Sequence, residues 1–234
     1  MKLLLSLLAL GKLGKVLTTG GSMIISVFAY ALLYGWKYAV GFVLLLFCHE
    51  MGHFWAARAR GLDVGAPTFI PFVGAWIQLK EQPMDAETEA YVGIAGPMLG
   101  SAAAFACYLV ATATGSSLWL AISYAGFMLN LFNLIPLSPL DGGRIVGVVS
   151  PRIWLIGMPM LVALFCWKPN PLLVLIAILA APQVWRVFKN RHLENPEYYR
   201  VAPAVRYSYA AYYLALAAGL AMMTYEVGQA LPSQ

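Results

Sequence analysis

The sequence predicts an all-α polytopic membrane protein with about six to seven transmembrane helices and a short membrane-embedded β-hairpin. Three observations predict it. Apolar residues make up 61% of the 234 and charged residues only 11%, where a soluble domain carries roughly 25% charged. The mean hydropathy is +0.74. Uncharged runs recur at lengths that suit a span, which takes about 20 apolar residues as a helix. These values exclude a disordered chain, a basic nucleic-acid-binding domain and an ordinary cytosolic enzyme.

The elements follow in order. Residues 3–15 read as an interfacial amphipathic helix, because Lys12 and Lys15 follow the short apolar run Leu3 to Leu10. Val16 to Trp36 has no charge and gives a first span. Tyr38 to Ala57 gives another, although it carries His49, Glu50 and His53. Asp63 to Lys80 is rich in Gly, Pro and β-formers, and reads as extended chain or a hairpin. Such backbone at membrane depth needs protein or water beside it. Gln82 to Glu89 reads as a polar, acidic loop. Ala90 to Leu140 is uncharged and long enough for two spans, with turn chemistry at Thr114-Gly115-Ser116-Ser117. Ile153 to Trp167 and Pro169 to Trp185 form a short pair around Lys168-Pro169-Asn170-Pro171, and Tyr207 to Tyr225 is the last span. Residues 188–206 read as a polar linker. No segment is large and polar enough for a separate soluble domain. The chain is therefore read as one membrane-embedded domain, 1–234, with its core at about 38–150.

The net charge of +5 reports orientation rather than a partner. With the N-terminus inside, thirteen of the fifteen Lys and Arg fall on the inner side, leaving only Lys37 and Lys168 outside. This bias predicts an integral membrane protein with a cytoplasmic N-terminus. Cys48, Cys107 and Cys166 lie in separate apolar segments and form no disulfide framework or zinc knuckle.

His49-Glu50-Met51-Gly52-His53 carries the chemistry. Helical positions i and i+4 share a face, so both imidazoles can hold one metal ion. Glu50 stands beside them to take a proton from water activated there. Ionisable groups inside a span are costly and mark function. A catalytic zinc site usually has three protein ligands. The remaining histidine, His192, lies in the charged linker and reads as solvated. Asp141 ends the long uncharged run, in Asn133-Leu-Ile-Pro-Leu-Ser-Pro-Leu-Asp141-Gly142-Gly143. Pro136 and Pro139 stop the preceding helix. The predicted topology puts Asp141 on the same inner side as His53. The alternative role for Asp141 is to cap the helix that follows.

These two motifs together resemble the site-2 protease family of intramembrane zinc metalloproteases. Ile70-Pro-Phe-Val-Gly-Ala-Trp76 and Ala95-Gly96-Pro97 add to the likeness, which spans roughly residues 45–145. The resemblance implies one zinc ion held by His49, His53 and Asp141, with Glu50 as general base and proton shuttle. It implies that Asn133 helps hold substrate or the oxyanion. It also implies that a hairpin including Phe72, Val73, Gly74, Ala75 and Trp76 pairs its edge with unwound substrate. Substrates would be transmembrane proteins, cleaved in or near their spans within a lipid bilayer. No nucleic acid is expected, and the localisation implied is a prokaryotic plasma membrane with the site entered from the cytoplasm. The chain resembles a minimal core without PDZ or CBS domains. It departs from the family in one place: an asparagine common a few residues after Gly-Pro is absent from Met98-Leu99-Gly100-Ser101. The competing readings are a metal transporter and a catalytically silent binding protein on the same fold. Spans without ionisable groups argue against transport, and an intact Glu50 argues against silence.

Overall fold

A computed structural model of the chain describes residues 2–76, 83–189 and 196–231. Among the described residues there are eight α-helices: α1 (Lys2–Tyr34), α2 (Trp36–Ala59), α3 (Ala86–Thr114), α4 (Ser117–Asn133), α5 (Asp141–Val149), α6 (Trp154–Trp167), α7 (Pro171–Phe188) and α8 (Pro203–Ala230). Between α2 and α3 lies an antiparallel hairpin, β1 (Thr68–Ile70) and β2 (Gly74–Trp76). The rest of the hairpin expected up to Lys80 lies outside the described residues, as does His192.

Among the described residues, four helices are long and apolar enough to cross a membrane: α2, α3, α7 and α8. That is fewer than the expected six to seven. Two of the other expected spans are short. At 1.5 Å per residue, α4 and α6 reach only about 25 Å and 21 Å, short of a hydrocarbon core of about 30 Å. The first helix differs too. It runs unbroken from Lys2 to Tyr34, so the expected interfacial segment and first span are one element.

Local chemistry sets the helix ends. Asp85 accepts a hydrogen bond from the Thr88 amide and caps α3. The expected acidic loop is therefore partly the first turn of this helix. Gly115, left-handed at φ 68°, ends α3, and Ser116 caps α4. The predicted turn stands where the sequence puts it. Asn170 caps α7 with Pro171 at its first turn.

Helix α3 is the hub, packed against α2 on one side and α4 and α5 on the other. One apolar cluster joins Ile94, Ala104, Phe127, Ile145 and Leu220 across α3, α4, α5 and α8. A second packs α6 and α7 onto Leu137 and Leu140, in the loop before Asp141. The end of the expected linker is docked rather than solvated. Arg206 donates to the carbonyls of Val149, Tyr199 and Val201, and the Tyr198 hydroxyl donates to Glu89 at 2.6 Å. These bonds tie α8 to the ends of α3 and α5, which carry the site.

Candidate metal centre

Helix α2 brings His49, Glu50 and His53 to its buried face, at 3%, 5% and 6% exposure. Asp141 is the first residue of α5 and is equally buried, at 6%. The sharp loop of Pro136 and Pro139 reaches it. Gly142 and Gly143 make the loop possible: a Cβ at either would collide with backbone of residues 134–138. The Trp154 indole donates to the Gly143 carbonyl at 2.8 Å and fixes the turn.

The donor inventory of this cluster points to a cation. His53 Nδ1 lies 2.8 Å from the Val92 carbonyl, an acceptor only, so that nitrogen carries its proton. His49 Nδ1 lies 2.8 Å from Asn130 Oδ1. The Asn130 amide is oriented by its NH2, which donates to the Gly126 carbonyl at 2.7 Å. His49 Nδ1 is thus also a donor. In their neutral form both imidazoles then present Nε2 lone pairs, and these nitrogens stand 3.1 Å apart. The Asp141 carboxylate faces them, with oxygens at 3.1 Å from His49 Nε2 and 3.2 Å from His53 Nε2. With the imidazoles neutral, three acceptor groups converge.

That arrangement fits a metal ion. Tetrahedral coordination at about 2.0–2.2 Å places ligand atoms about 3.3–3.6 Å from one another. The separations of 3.1 Å between the two Nε2 atoms and of 3.1 and 3.2 Å to the two carboxylate oxygens lie slightly inside that spacing. Among the described residues, this trio is the group whose donor atoms could hold a metal ion together. Asp141 spends its carboxylate on the imidazoles, not on the α5 amides, and α5 has no side-chain cap.

Two glycines let α2 and α3 approach closely enough for this. A Cβ on Gly52 would strike the Ala95 carbonyl, and a Cβ on Gly96 would strike the His53 ring. The Ala95-Gly96-Pro97 segment is therefore the wall against which His53 lies.

Sequence reasoning missed Asn130, which is 1% exposed. Asn133 closes α4 one turn further on, partly buried, and makes no hydrogen bond to the trio among the described residues. Asn130 fixes the tautomer of His49 from α4. Its room comes from Gly100 on α3, where a Cβ would meet the Asn130 amide. Gly100 lies in the stretch where the family pattern would have an asparagine. The usable signal was an asparagine inside an uncharged helix, one turn before Asn133. Outer partners of this kind orient a ligating imidazole, and losing one costs about 10- to 100-fold in metal affinity. Asn130→Leu is expected to weaken metal binding by that factor. A chelator-competition titration reads it.

The fold and site define a helical membrane protein with a buried group of two histidines and one carboxylate that could hold a metal ion. Residues 37–116 match the model of Peptidase family M50. A curated relative, the zinc metalloprotease MJ0392 of Methanocaldococcus jannaschii, is 32% identical over 123 residues, or 49% of this chain and 35% of the relative. Both findings bear out the likeness to the site-2 protease family. The chain matches about a third of that relative's length. Asp141 lies beyond the family match, so the three-dimensional arrangement brings it into the site.

Proposed function

We propose that the chain is an intramembrane zinc metalloprotease that hydrolyses peptide bonds in or near transmembrane segments of membrane proteins. The carrying observation is the convergence of His49 Nε2, His53 Nε2 and the Asp141 carboxylate beside buried Glu50. When bound by these three residues, zinc lowers the pKa of water and polarises a carbonyl. Glu50 is the base: its carboxylate takes a proton from the attacking water and returns it to the departing amide nitrogen. Water adds across the C–N bond, leaving a carboxyl and an amine. His49 and His53 keep their ligating nitrogens free because Asn130 and Val92 hold the opposite ones. Asn133, at the mouth of the loop before Asp141, is assigned to the substrate carbonyl.

The substrate must be unwound first, because a helix hides its scissile carbonyls. The hairpin residues Phe72, Val73, Gly74, Ala75 and Trp76 supply a strand edge for the extended form. The Lys and Arg asymmetry supports a cytoplasmic N-terminus and site entrance, and six to seven crossings in all if α1, α4 and α6 also traverse a bilayer. We assign the chain to a prokaryotic plasma membrane and read its core as residues 38–150.

The test uses a synthetic Lys-flanked transmembrane peptide of about 20 apolar residues in detergent with the purified chain. Chelator-stripped protein is expected to lose cleavage and regain it on adding one equivalent of Zn2+. Cleavage that persists in metal-free protein contradicts the proposal.

A further inference from the structure

Helix α1 lies along β1, and its polar residues face the hairpin backbone. The Thr19 hydroxyl donates to the Pro67 carbonyl at 2.7 Å. The Phe69 amide donates to Ser22 Oγ at 3.2 Å. The Phe72 amide donates to the Tyr30 hydroxyl at 3.1 Å. Residues 19, 22 and 30 share one helical face.

The strand register shows which edge these bonds occupy. Phe69 stands opposite Ala75. Its amide goes to α1, so this is a non-hydrogen-bonded pair whose backbone groups point outward on both strands. Pro67 precedes Phe69 by two residues and shares its direction. The outer edge of β1 is thus taken by α1 hydroxyls. The matching groups of Ala75 face away from β1, on the outer edge of β2.

The turn is held by the same helix. Phe72 has φ 62°, a left-handed backbone that favours glycine. The Tyr30 ring meets the Phe72 ring edge-on at 5.0 Å, while its hydroxyl takes the Phe72 amide. Tyr30 also contacts Phe42 of α2 at 5.0 Å, and Phe69 lies 6.5 Å from Phe47, two residues before His49. The hairpin is thereby fixed relative to the metal-binding turn of α2.

We infer that Thr19, Ser22 and Tyr30 form a clasp that occupies the β1 edge and the turn, sets the hairpin against α2 and commits an extended substrate to the edge of β2. The inference rests on the hairpin receiving substrate. Tyr30 is a positioning residue: it acts through Phe72 and touches no reacting atom. An internal control lies on the same face. Ser26 is buried at 1% exposure, and its hydroxyl has no hydrogen-bond partner among the described residues.

The test compares Tyr30→Phe, Ser22→Ala and Ser26→Ala in the full chain in detergent. Amide hydrogen exchange is read at Phe69 and Phe72, zinc per chain is measured, and the Lys-flanked peptide gives KM and kcat. Losing one hydrogen bond is expected to speed exchange about five- to tenfold, at Phe72 in Tyr30→Phe and at Phe69 in Ser22→Ala. KM should rise severalfold in both, with kcat and zinc unchanged. Ser26→Ala should change none of these. Exchange as slow as wild type in both clasp variants overturns the clasp. An equal effect from Ser26→Ala overturns it too, because α1 would then act by packing alone. Faster exchange with unchanged KM overturns the commitment of substrate to β2. A wild-type chain that cleaves nothing counts against the protease reading, and the exchange data still decide the clasp.

Discussion

Glu50→Gln is expected to cut peptide cleavage by about a hundred- to ten-thousandfold and to leave bound zinc unchanged. The amide is nearly isosteric with the carboxylate, so packing around this 5%-exposed residue is kept. Glutamine cannot take the proton from water or return it to the amine. Glu50 is also outside the trio whose donor atoms converge, so the metal has no reason to leave. Loss of cleavage together with loss of zinc would make Glu50 a structural support of the site. Cleavage at the wild-type rate would remove it from the mechanism.

Much of this was legible in the sequence, because the bilayer writes its demands locally. Uncharged runs located the helices, and Gly115 with Ser116 marked the α3–α4 turn. The i, i+4 histidines named two ligands without any tertiary knowledge. Asp141 was legible through the Pro136, Pro139 and Gly142 pattern that forces a tight loop. What stayed hidden depends on helices meeting across the fold. Asn130 bonds His49 from 81 residues away, and nothing in the period of α4 marks it. The hydroxyl face of α1 looked like scattered Ser and Thr in an apolar helix until the hairpin lay against it. The span count is a different matter. Composition measures apolarity, whereas crossing also needs length, and α4 and α6 are short. The segment around Tyr198 and Arg206 read as a polar linker because its polarity was visible and its partners on α3 and α5 were not.

The second large effect is at Asp141. Its carboxylate is the sole negative charge in the trio and the only member from outside α2. Without it, two neutral imidazoles on one helical face remain, and a closed three-ligand site becomes an open pair. The protein should still fold, because α5 is held by the Trp154 bond to Gly143 and by Ile145 in the core. Zinc per chain, measured on detergent-purified wild type and Asp141→Ala of equal helicity, tests the central claim without any substrate. The account predicts about one zinc in the wild type and a small fraction of that in the variant. A folded wild type that binds no zinc, or equal zinc in both proteins, would contradict it.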